Sequence, residues 1–242
     1  MKKIIFFVEG QKLHGMLFYP EKIKQINPAI LFVHGWKSSE RSFVSIAEAL
    51  TKLGFICMTV NMRGHNGSDG NINILTRKNF LDDTCAAYDY LTQVKEVNKK
   101  QISVIGASFG GYLATLVSKE RNVKNIVLRV PANYPNVTFY EPQIQFSGDN
   151  NSDELQWRFK ILGIQETFSL AALHLFKGNI LIIESENDQL VPHVTIENYL
   201  RAVLDPSQLT YVVMKGADHS IHNEEQRNKY TEILTDWFQD KI

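Results

Sequence analysis

Short apolar runs alternate with amphipathic stretches through most of this chain of 242 residues. "PAILFVHG", "FICMTVNM", "ISVIG", "VKNIVLRV", "NILIIES" and "LTYVVMKG" are near-continuous apolar runs, the kind that forms strands buried on both faces of a parallel sheet. Between them "FVSIAEALTKLG", "FLDDTCAAYDYLTQV", "GGYLATLVSKE" and "VTIENYLRAVL" have helical periodicity, and "NKYTEILTDWFQ" closes the chain as a last helix. Two more strand-like runs, "KIIFFVEG" and "KLHGMLFYP", open it, joined by a short "GQ" link that predicts a hairpin. This rhythm predicts a doubly wound, mostly parallel α/β sheet of eight strands. Right-handed crossovers would place helices on both of its faces.

The rhythm breaks once, after Val130. Residues 131–178 hold Pro131, Pro135 and Pro142, a polar tract "SGDNNSDE", and helical patterns over "SDELQWRFKIL" and "ETFSLAALHLF". They also hold the aromatics Tyr134, Phe139, Tyr140, Phe146, Trp157, Phe159 and Phe168. The expectation is one domain over 1–242, with a small helical insertion at about 131–178 covering one end of the sheet.

Composition narrows the classes. Twenty-six basic side chains balance twenty-six acidic ones, which argues against a protein built to hold nucleic acid. The two cysteines, Cys57 and Cys85, lie in an apolar run and a helical pattern and read as buried thiols, with no metal or redox spacing. Glu9 interrupts the apolar start after Ile4 to Val8, too early for a signal peptide, and no stretch is long enough for a spanning helix. A cytoplasmic location, with no integral membrane segment, is the expectation.

The strongest chemical signal is "ISVIGASFGGY". Gly106-Ala107-Ser108-Phe109-Gly110 is G-x-S-x-G between a strand and a helix, a turn that projects a serine Oγ and crowds out side chains at the glycine positions. "ILFVHGWKSS" is the second signal. His34 ends a buried strand and reads as a core histidine tied to backbone, while the N–H groups of Trp36 and Phe109 are candidate donors to an oxyanion. A carboxylate to orient a base has three candidates in "IIESENDQLVP": Glu184, Glu186 and Asp188. The base has two in "GADHSIHN": His219 and His222, with His14, His174 and His193 lacking any supporting constellation.

Together these segments resemble the α/β-hydrolase fold family of serine hydrolases over nearly the whole chain. The family order is nucleophile, acid, histidine. "NMRGHNGSDG" is similar to the family's D-x-R-G-x-G-x-S loop, with Asn61 and Asn66 as departures, and Arg63 and His65 read as loop residues rather than substrate contacts. The D-x-x-V-P and G-x-x-H segments of the resemblance select Asp188 as acid and His219 as base, and leave His222 and Asp218 aside. The resemblance implies that His219 takes the proton of Ser108, that Ser108 forms an acyl-enzyme, and that water releases it, without a metal or organic cofactor. Serine rather than aspartate at position 108 excludes the dehalogenase and epoxide hydrolase branches.

The implied activity is hydrolysis of carboxylic esters with small to medium acyl or aryl groups, the partner being a small-molecule ester. The alternatives are a thioesterase, a prolyl-oligopeptidase-like serine peptidase, or a non-catalytic binding protein on the same scaffold. No arginine-rich or acidic pocket for a charged substrate is visible in the sequence.

Overall fold

The computed structural model describes residues 1–146 and 156–241. Eight strands form one sheet: β1 Lys2–Val8, β2 Gln11–Phe18, β3 Asn27–Val33, β4 Ile56–Asn61, β5 Val97–Ala107, β6 Asn125–Arg129, β7 Asn179–Ser185 and β8 Leu209–Met214. Their order across the sheet is β1-β2-β4-β3-β5-β6-β7-β8. The pairs β1–β2 and β2–β4 are antiparallel and every other pair is parallel. The opening hairpin turns on Glu9 and Gly10 at φ 49° and 78°, one residue earlier than the "GQ" reading. Two consecutive positive-φ residues match the right-handed twist of the strands they join.

The main helices are α1 Val44–Thr51, α2 Arg77–Gln93, α3 Phe109–Glu120, α4 Phe168–Leu175, α5 His193–Ala202 and α6 Glu224–Gln239. Strand periodicity sorts them into two layers, because successive side chains point to opposite faces. Ile30, Phe32, Cys57, Ile105, Val127, Leu181 and Ile183 face α1 and α6, meeting Phe43, Ile46, Leu50, Leu234 and Phe238. Leu31, Val33, Val104, Ile126, Leu128 and Ile182 face the other way, onto α2, α3, α4 and α5. Each fully buried side chain of this size contributes about 1.5–3 kcal/mol. No helix among the described residues is long and apolar enough to cross a membrane.

α6 starts at Glu224, four residues before the periodicity that predicted it. Asn223 caps it by accepting the Gln226 N–H at 2.7 Å, and Glu224 and Glu225 suit the positive end of the helix.

Residues 131–178 depart from the strand–helix rhythm, as the prolines suggested. The polar tract and the first part of the helix read over "SDELQWRFKIL" lie outside the described residues. From Gln156 the chain makes one turn, with Phe159 N–H on Gln156 O at 3.2 Å, and its next helix is the short turn Ile164–Glu166 rather than a helix through Leu162. The described remainder lies against the α2–α5 layer. Tyr134 packs edge-on to Phe109 and Tyr112, Phe139 to Phe168, and the fully buried Arg77 of α2 reaches Gln143 and Thr138.

Candidate active site

β5 runs directly into α3 through Ser108, which sits at φ 53°, ψ −117°. That region is unfavourable for a residue with a side chain, and it persists because the surroundings over-determine it. A Cβ on Gly106 would lie 2.1 Å from the Gly110 carbonyl oxygen, and one on Gly110 would lie 2.0 Å from the Val33 oxygen. The glycines therefore let α3 start against the ends of β5 and β3, and the serine between them is pushed out of the turn. Its backbone is fixed by Ser108 N–H to Arg129 O at 2.9 Å and Ala132 N–H to Ser108 O at 3.0 Å. Its hydroxyl does not cap the helix it precedes.

The loop after β3 reaches the same place. A Cβ on Gly35 would lie 3.5 Å from Ser108 Cβ. The N–H of Trp36 and that of Phe109, the first residue of α3, make no hydrogen bond among the described residues. A helix leaves its first N–H groups without internal partners, so Phe109 is an available donor by geometry. The Trp36 ring is held edge-on by His65, Phe80 and Phe109. Below it His34 is fully buried, its Nδ1 donating to Gly35 O at 2.8 Å and its Nε2 accepting the Met62 N–H at 3.3 Å. Burial, and then repulsion from His65, push this imidazole down to about 3, so it is neutral and structural.

The residues that depart from the resembling loop motif carry structural bonds. Asn61 Oδ1 accepts the Glu40 N–H at 2.9 Å, and Asn66, at φ 31°, donates to both Glu40 oxygens. Arg63 is buried and spent on Asp83, Glu9, Gln11 and the Asn79 carbonyl. His65 bonds the Arg63 carbonyl at 2.9 Å. None of these four is free for a ligand.

Asp188 and His219 meet across the carboxyl ends of β7 and β8, with Oδ2 2.7 Å from Nδ1. The other oxygen, Oδ1, accepts the N–H groups of Leu190 and Val191, each at 2.8 Å. The carboxylate is 3% exposed and has one orientation. It holds the proton on Nδ1 of His219, which leaves Nε2 with its lone pair. The rival acids are engaged elsewhere. Glu186 takes Lys215 at 2.7 Å and the Gly216 N–H at 2.8 Å, and these bonds hold its carboxyl below the usual range. Glu184 bonds His193 at 2.8 Å and the Tyr211 hydroxyl, so His193 does have a partner that sequence reasoning did not supply. His222 is 80% exposed and only 3.4 Å from Asp218 at its nearest.

Ser108, Trp36 and His219 line a single cavity of about 330 Å³. It lies on the α1/α6 side, and no described residue of 131–178 lines it. Sequence reasoning missed three of its residues, Arg129, Arg227 and Tyr230. No arginine-rich pocket was visible in the sequence, and the fold brings two arginines to this cavity. The available signal was a charged residue ending the apolar run "VKNIVLRV".

Known proteins give this arrangement relatives. A Mycobacterium tuberculosis protein of uncharacterized function is 24% identical over 88% of this chain and 69% of its own. A Mycoplasma genitalium protein, provisionally named esterase/lipase 2, is 26% identical over 90% of each chain. Est1E from Butyrivibrio proteoclasticus, with ferulic acid bound, shares the fold at TM-score 0.77 and 20% identity over 98% of both chains. The sheet and its helices are thus those of the α/β hydrolases. The prolyl oligopeptidase family matches this sequence over residues 41–242, most of its length, and the chain belongs to that family.

Proposed function

We propose that the chain is a serine hydrolase that cleaves carboxylic esters of small to medium acyl or aryl groups. The observation that carries the reading is the 2.7 Å Asp188–His219 contact opening onto the same cavity as the strained Ser108. In this mechanism Nε2 of His219 takes the hydroxyl proton as Oγ attacks the ester carbonyl. The N–H groups of Trp36 and Phe109 receive the oxyanion, each worth on the order of 3 kcal/mol in the transition state. His219 protonates the departing alcohol, then activates the water that frees the acid. Asp188 keeps the ring in one tautomer and stabilises the imidazolium. The esterase/lipase name of the Mycoplasma relative and the aryl acid bound by Est1E support esters as the first substrates to try.

Membership of the prolyl oligopeptidase family favours a second reading, a serine peptidase with the same residues in the same roles. One experiment serves both. Fluorophosphonate should label Ser108 and no other residue in folded protein, and absence of that label sinks both readings. A panel of p-nitrophenyl esters of rising chain length, beside thioesters and aminoacyl amides, then ranks them. Esters as the poorest substrates would remove the first reading.

A further inference from the structure

Arg129 stands beside Ser108, one strand across in the sheet, where β6 pairs with β5 at Ala107–Arg129. It follows Val127 in the strand alternation, so its side chain points to the α1/α6 face and into the wall of the cavity. The residue is 4% exposed. Its guanidinium lies 5.7 Å from the ring centre of Tyr230 and donates from Nη2 to the His219 carbonyl. That is its single hydrogen bond among the described residues, and Nε is buried without a partner. Tyr230, also in the wall and 1% exposed, has a hydroxyl in the same condition.

A buried guanidinium with unmet donors costs several kcal/mol unless an anion answers it. The nearby carboxylates do not. Asp188 and Asp218 attract Arg129 at a distance, but Asp188 bonds His219, Leu190 and Val191, and Asp218 bonds Ser220 and His222. Arg227 stands at the same cavity, bonded to the His222 carbonyl and without an ion pair among the described residues. The lining contains no aspartate or glutamate. Two arginines and four serines besides the nucleophile, with no acid, make this small space a place for negative charge next to Ser108.

We infer that the substrate carries a carboxylate a few bonds from the scissile carbonyl, bound by Arg129 with Tyr230 at the inner end of the cavity and Arg227 at its mouth. This rests on the hydrolase reading above and adds the chemical class of its substrate: a half-ester of a short dicarboxylic acid, or an ester of a hydroxy acid.

The test compares charged esters with neutral partners of like size. One pair is mono-p-nitrophenyl glutarate and p-nitrophenyl valerate. The other is 4-acetoxybenzoate and 4-methylphenyl acetate. At least one carboxylate should exceed its neutral partner about tenfold or more in kcat/KM. Arg129→Gln and, separately, Tyr230→Phe should pull that ratio toward one. Taking the ratio cancels any effect of Arg129 on the position of His219, and Tyr230→Phe serves if Arg129→Gln does not fold. In the wild type, glutarate should also slow fluorophosphonate labelling of Ser108 more than 1,5-pentanediol does, a readout that needs no turnover. Equal turnover of both members in both pairs, or a ratio unmoved by the substitutions, overturns the inference and leaves the ester reading standing. No labelling of Ser108 removes the hydrolase reading itself.

Discussion

Two carboxylate–imidazole pairs stand near the carboxyl ends of β7 and β8, and their bond lengths are almost the same. Glu184 meets His193 at 2.8 Å, and Asp188 meets His219 at 2.7 Å. Their settings differ. His193 is 67% exposed, its acid shares its second oxygen with the Tyr211 hydroxyl, and neither residue lines the cavity of Ser108. Such a pair at the surface is worth about 0–1 kcal/mol. His219 is 17% exposed, its acid 3%, and it lines a cavity that also holds Ser108 and Trp36. A hydrogen bond to a carboxylate is therefore common to both and decides nothing. What separates them is the cavity shared with Ser108 and the deeper burial of the imidazole and its acid.

Breaking the inner pair should have the largest effect. Ser108→Ala and His219→Ala are each expected to lower kcat by about 10⁶-fold, and the double variant by no more, because the residues act as a unit. Additive losses would show that the two do not work together. Asp188→Asn should cost about 10⁴-fold, since the amide permits the wrong tautomer. Steady-state kinetics on p-nitrophenyl esters measure all four variants. An Asp188→Asn variant with wild-type kcat would place the inner pair on the same footing as the outer one.

How far this contrast could be read without coordinates depends on the residue. Ser108 was legible because the turn demands glycine at 106 and 110, a local requirement that local sequence records. The strands were legible because burial on both faces leaves unbroken apolar runs. Asp188 was not separable from Glu186 by composition or periodicity. Both lie in one loop, and it is Lys215 and Gly216, distant in sequence, that draw Glu186 away. Only the resemblance pointed to Asp188. Arg129 was invisible for a similar reason: which face it takes follows from strand parity, and what surrounds it comes from α6, far along the chain. The break at Val130 was legible as a break, but not the side of the sheet its aromatics would pack on.

A third imidazole extends the comparison to full burial. His34 has no carboxylate and is held neutral, with its folded pKa at about 3 against an ordinary 6.5. A depressed histidine means that the unfolded chain binds the extra proton first. Its contribution to stability is complete above about pH 6.5 and is lost as pH falls toward 3. The cost is at most about 1.4 kcal/mol for each pH step of one. Urea midpoints from pH 7 to 5 should fall in the wild type and fall less steeply in His34→Gln. Identical slopes would mean that another group sets the acid limit.

The smallest effects belong to the outer histidines, and they test the argument most closely. His193→Ala removes a carboxylate–imidazole bond nearly as short as the inner one, yet kcat/KM should stay within about twofold, since a surface substitution outside the cavity has little to act through. His222→Ala should do more, because that ring is at the cavity wall, but by less than about tenfold, because its bond to Asp218 is long and exposed. The order His219, His222, His193 thus follows burial and membership of the Ser108 cavity and not hydrogen-bond length, in which His193 ranks ahead of His222. A loss at His193 larger than that at His222 would mean that bond length carries the function after all, and that the cavity around Ser108 is not where the chemistry happens.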